Sequence, residues 1–117
     1  NIEHIAPRTP TNGDPLANGY GIYVDAVAPE NGIESGQWLN CIGNLMLISE
    51  SHNKSIGNCR FADKLTSYEK SSLSQQREIK DFASSKDGMQ TWDVEAIKKR
   101  KQAMIEAAME IWSLDNI

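Results

Sequence analysis

Four side chains in this sequence have types and spacings suited to hydrolysing a phosphodiester bond: Glu3, His4, Asn44 and Asn53. That reaction near neutral pH requires a base to activate water, a cation to neutralise charge on the phosphate and the leaving oxygen, and fixed geometry between them. His4 is the candidate base, because imidazole titrates near neutrality. Glu3 and Asn53 are the candidate metal ligands. A carboxylate and an amide carbonyl offer the hard oxygens that one Mg²⁺ or Mn²⁺ ion takes, with water and substrate phosphate filling its other positions. Asn44, which donates and accepts at once, is the candidate for pinning the loop behind His4 and fixing the ring. Lys54, Arg60 and Lys64 lie close after this set and are the candidate phosphate and DNA contacts.

The elements that must position these groups are legible in outline. Ile2-Glu3-His4-Ile5 alternates apolar and polar residues and is stopped by Ala6-Pro7, so it reads as a short strand. Neighbours on a regular strand face opposite sides, so Glu3 and His4 enter one pocket only if the strand end is distorted. Residues 8–37 are rich in Gly, Pro, Asn and Asp and read as a long loop, with a short strand expected at 20–24. Residues 43–48 are apolar and bounded by Gly and Ser, which predicts a second strand, and 49–58 read as a polar turn. Helical patterns follow over 60–71, 73–84 and, most clearly, 92–113, where Val94, Ile97, Met104, Ile105, Ala108, Ile111 and Trp112 form an apolar stripe. Thr91 is the expected cap of that last helix.

Composition bounds the class. The 117 residues suit one domain with one core, and 39% hydrophobic with 24% charged residues is a globular balance. No apolar run approaches the length needed to cross a bilayer, and the compartment expected is the cytoplasm. Cys41 and Cys59 form neither a C-x-x-C pair nor a zinc-spaced cluster, so no structural zinc is expected. A net charge of −4 argues against a protein that grips nucleic acid by bulk electrostatics. The charge is unevenly spread, however: residues 1–53 hold six acids against one base, whereas 54–117 hold eleven bases against ten acids.

Taken together, Ile2-Glu3-His4-Ile5-Ala6-Pro7 resembles the first HNH motif, an acidic residue before the histidine and a proline after it. Gly43-Asn44-Leu45-Met46-Leu47 followed nine positions on from Asn44 by Asn53 resembles the second half, in its H-N-N variant. Residues 41–68, including Asn58, Phe61, Lys64 and Tyr68, are more narrowly similar to the C-terminal nuclease domain of GmrSD-type modification-dependent restriction enzymes and of related phosphorothioation-linked anti-phage proteins. Trp92, Ile97, Arg100 and Ile111-Trp112 also fit that family's closing helix. The resemblance implies an α+β fold with a ββα-metal (His-Me finger) core, a long loop between the strands and a C-terminal helical extension. It implies a divalent-metal-dependent endonuclease or nickase acting on DNA, a single domain over 1–117 joined in its parent protein to an upstream ParB-like, nucleotide-using domain. Asn53 stands at the third letter of the motif with His52 beside it, and either side chain is a possible metal ligand.

Plainer roles exist for several of these residues. Asn44 after Gly43 also suits a turn entering a strand, and Asn58 reads as a structural cap. Lys98-Lys99-Arg100-Lys101 spreads around a helix and reads as a solvated face, while Trp38, Trp92 and Trp112 are assigned to packing. A non-catalytic DNA-binding or interaction module on the same fold, and an RNA-directed nuclease, are the competing readings.

Overall fold

Ile2 to His4 forms strand β1 (Ile2–His4), which pairs antiparallel with β2 (Leu45–Leu47) in the register Ile2 to Leu47, Glu3 to Met46 and His4 to Leu45. The computed structural model describes residues 1–8, 17–21 and 38–115, the last three of these by backbone alone. Most of the long segment between β1 and β2 therefore lies outside the described residues, including all but two positions of the expected strand at 20–24. Of those two, Tyr20 makes a single parallel bridge to Trp92.

The expected polar turn after β2 is instead a helix, α1 (Glu50–Ile56). Ser49 caps it by accepting from His52 N–H through its hydroxyl at 3.1 Å, Glu50 pairs with Lys54 one turn on, and Gly57 ends it at φ 49. The segment has a single buried apolar position, Ile56, so it lacks the periodic stripe that signals a helix; its caps form it. Helix α2 (Phe61–Glu69) matches the expected 60–71, and buries Phe61, Lys64, Leu65 and Tyr68.

The single helix expected over 73–84 is two short ones, α3 (Ser74–Arg77) and α4 (Ile79–Phe82), followed by a hairpin of β3 (Ser84–Lys86) and β4 (Met89–Thr91). Asp87 and Gly88 turn that hairpin at φ 52 and 78, the left-handed pair that a two-residue hairpin loop needs. Helix α5 (Val94–Asp115) matches the strongest periodicity. Its cap is Asp93 rather than Thr91: the Asp93 carboxylate accepts from Ala96 N–H at 3.0 Å and from the Ser84 hydroxyl at 2.7 Å.

The core gathers Met46 of β2, Phe61 and Tyr68 of α2 and Ile97 of α5, together with Ile5 just after β1 and Trp92 just before α5. Gly43, in a 3-10 turn at Ile42–Asn44 just before β2, is where α5 comes closest. A Cβ there would collide with the Ile97 carbonyl oxygen, a backbone atom that no side-chain rotation can move. Gly43→Ala is accordingly expected to cost about 3 kcal/mol or more, read as a fall in the urea midpoint at unchanged slope.

The described domain is thus α+β, with two two-stranded antiparallel sheets and helices around one core. No described helix is long and apolar enough to cross a membrane.

Candidate active site

The chain just beyond β1 is held from both sides. Asn44 is fully buried and makes four hydrogen bonds. Its Oδ1 accepts from Ala6 N–H at 2.8 Å and from the Trp92 indole N–H at 3.1 Å, while its Nδ2 donates to Ala6 O at 3.0 Å and to Leu39 O at 2.9 Å. Two donors on the oxygen and two carbonyls on the nitrogen fix the amide in one orientation. Ile5 N–H adds a backbone bond to Asn44 O at 2.9 Å. One side chain therefore ties the residues after His4 to the turn at 38–41 and to Trp92, just before α5.

Lys64 secures the same stretch from beneath. Expected as a phosphate contact, it is instead fully buried, its Nζ donating to His4 O at 3.0 Å and Ile5 O at 2.9 Å and lying 3.4 Å from Glu3 Oε2. An ammonium with its donors spent on two carbonyls and a carboxylate, and no surface of its own, cannot reach a DNA phosphate. Burial pushes its pKa below the ordinary lysine range, opposed by the Glu3 carboxylate.

Glu3 belongs to that buried cluster as well. Its carboxylate is 5% exposed and accepts from the Tyr68 hydroxyl at 3.0 Å. β1 keeps a regular register with β2, so alternation holds and Glu3 faces the core while His4 is half-buried. The distortion that would bring Glu3 and His4 into one pocket is absent from this pairing, and the carboxylate is already engaged by Lys64 and Tyr68. Burial and the Glu3 charge together push the Tyr68 pKa well above its usual value.

His4 Nε2 lies 3.0 Å from Asn40 Oδ1, a contact that sequence reasoning did not anticipate. Asn53 lies on α1, half-buried, and its side-chain amide has no hydrogen-bond partner among the described residues. His52 is committed elsewhere: Nε2 is 2.6 Å from Ser67 Oγ, and the ring meets Tyr68 edge to face with centroids 6.3 Å apart. Lys54 and Arg60 are exposed, paired with Glu50 at 3.1 Å and Asp63 at 3.6 Å. Surface pairs of this kind are weak, so both cations remain available to an anion.

Arg100, read as part of a solvated basic face, is 3% exposed and donates through Nη1 to Ile42 O, Gly43 O and Leu45 O at 3.2, 3.1 and 2.7 Å. It fastens the turn that carries Asn44 to α5. Trp92 is buried as expected, but its indole N–H also holds Asn44, whereas Trp112, assigned to packing as well, is 71% exposed.

Among the described residues no group of three or more His, Cys, Asp or Glu is placed to hold a metal ion. A groove of about 180 Å³ beside α5, lined by Gln75, Phe82, Arg100, Met104 and Ala107 among others, contains none of the expected site residues. What the arrangement offers is a half-exposed imidazole on a backbone held rigid by Asn44 and Lys64.

No curated protein and no solved structure matches the sequence. One family model does, that of the C-terminal domain of GmrSD restriction endonucleases, over residues 1–107. With nearly the whole described chain matched, from β1 into α5, the protein belongs to the GmrSD C-terminal domain family.

Proposed function

We propose that this domain is the nuclease module of a restriction or anti-phage defence protein, a metal-dependent DNA endonuclease or nickase of the HNH class in which β1, β2 and α1 form a ββα-metal core. Membership of a restriction endonuclease family supports the reaction class. The observation that carries the reading is the fourfold clamp of Asn44, which fixes the backbone two residues after His4 and so gives a base its geometry before substrate arrives.

In this reading His4 takes the proton from the attacking water, and Asn44 and Lys64 keep the ring's backbone from moving as it does so. Lys54 and Arg60 draw the DNA backbone to the exposed side of α1 and α2. The residues fit a divalent ion only in part. Asn53 offers a hard amide oxygen with capacity to spare, whereas Glu3 is spent in the core and His52 on Ser67. A Mg²⁺ or Mn²⁺ ion would be held by Asn53 together with phosphate oxygens of the substrate, and when bound it neutralises charge on the scissile phosphate and the leaving oxygen. The parent protein would carry the ParB-like, nucleotide-using partner domain upstream.

The test is nicking of supercoiled plasmid in Mg²⁺ or Mn²⁺. His4→Ala is expected to abolish nicking while leaving the unfolding midpoint near wild type, because the half-buried ring contributes little to the core. If the wild-type domain binds DNA in either metal yet never cuts it, the catalytic reading gives way to the binding module. Cleavage of RNA in place of DNA would redirect the substrate class.

A further inference from the structure

Asn40 has no place in the site as expected from sequence, yet its side-chain oxygen lies 3.0 Å from His4 Nε2. Both ends of that contact are anchored by one buried amide. Asn44 Nδ2 donates to Leu39 O, one residue before Asn40, and to Ala6 O, two residues after His4. The turn closes on itself through Cys41 N–H to Trp38 O at 3.2 Å, and Asn44 N–H returns to Cys41 O at 2.8 Å. With both backbones fixed, the contact orders only the two short side chains that make it, which keeps its entropic cost small.

An imidazole nitrogen that faces an amide oxygen must carry the proton, and in a neutral ring the other nitrogen then holds the lone pair. We propose that Asn40 is the positioning residue for His4: its amide oxygen accepts Nε2–H, fixing the plane and tautomer of the ring and leaving Nδ1 as its basic nitrogen. The consequence for catalysis rests on the nuclease reading, since only there does Nδ1 have a water to deprotonate. The ring state itself belongs to the folded domain and is measurable without substrate. Without Asn40 the ring is free to rotate and to exchange tautomers, so a smaller fraction of molecules presents the right nitrogen at the right place.

The chain has only two histidines, His4 and His52, so long-range ¹H–¹⁵N correlation on a ¹⁵N-labelled sample resolves every ring nitrogen. Recorded above the ordinary imidazole titration, the wild-type spectrum is expected to show His4 Nε2 protonated and Nδ1 bare. In Asn40→Ala the two His4 nitrogen shifts should move toward the averaged values of a free ring. The shifts of His52, bonded to Ser67, should stay put. Asn40→Asp, whose ionised carboxylate accepts but cannot donate, should restore the wild-type pattern. Because Asn40 is exposed, Asn40→Ala should melt close to wild type. Its nicking kcat should fall on the order of tenfold, with KM unchanged and with recovery in Asn40→Asp.

A bare Nε2 in the wild type, or His4 shifts indifferent to Asn40→Ala, would overturn the proposal whatever the nicking assay gives. The expected shifts in a domain that never cuts DNA would uphold Asn40 as the partner of His4 and remove the nuclease reading alone.

Discussion

Asn44→Ala is expected to abolish cleavage and also to lower the stability of the domain by about 4 kcal/mol. The buried amide serves four partners, Ala6 N, Ala6 O, Leu39 O and Trp92 Nε1, and truncation leaves each of them short of a bond. Each buried group so orphaned costs about 1 to 3 kcal/mol, with relaxation and entering water recovering part of the sum. Against a total of about 5 to 15 kcal/mol for a domain of this size, that is a large fraction, and urea unfolding will read it directly. Asn44→Asp is the sharper variant. It has the same shape, but it sets carboxylate oxygens against Ala6 O and Leu39 O, where the native nitrogen donates. The Asp variant should therefore be no more stable than the Ala variant and equally inactive. If Asn44 served only to enter the strand as a turn residue, Asp would substitute with little loss, since both side chains favour turns alike. Near-wild-type stability of Asn44→Asp would thus dismantle the clamp.

What the sequence made legible is what depends on pattern. β1 carries an alternation, β2 a short apolar run bounded by Gly and Ser, and α2 and α5 a helical pattern, and each is present close to its expected bounds. Helix α1 carries no stripe because a single face of it, at Ile56, meets the core, and its evidence lies in Ser49, Glu50 and Gly57 at its ends. The hairpin of β3 and β4 is too short and too exposed to alternate clearly, so the one local signal for it is Asp87-Gly88. In the site, the place of Asn44 beside the residues after His4 could be read from motif order. The fates of Lys64, Glu3 and Arg100 could not, because a charged residue looks the same in sequence whether solvated or buried with a partner. Asn40 and Trp92 escaped for a related reason: their contacts with His4 and Asn44 span 36 and 48 residues, and only the closed fold brings them together.

The buried cluster beneath β1 yields the second large effect. Lys64→Met should destabilise the domain by about 3 to 5 kcal/mol. The substitution preserves most of the aliphatic volume but leaves the Glu3 carboxylate, 5% exposed, with only the Tyr68 hydroxyl as donor, and strips His4 O and Ile5 O of theirs. Most of that cost comes from the uncompensated charge rather than from the two carbonyls, so adding Glu3→Gln to Lys64→Met should recover more than half of the lost stability. The amide still accepts from Tyr68 and brings no charge into the core. Cleavage should respond differently. The double variant still lacks the two bonds that hold His4 and Ile5, so nicking remains impaired even where the fold recovers. Two other assignments of these residues make opposite forecasts. Were Lys64 a phosphate contact, Lys64→Met would leave the unfolding curve in place and flatten the salt dependence of DNA binding by about one unit of slope. Were Glu3 a metal ligand, Glu3→Gln alone would raise the metal concentration needed for nicking at unchanged stability. The buried pair predicts instead that Glu3→Gln alone destabilises the domain in metal-free buffer, because the Lys64 ammonium then loses the carboxylate that offsets its burial, and its pKa is driven lower still.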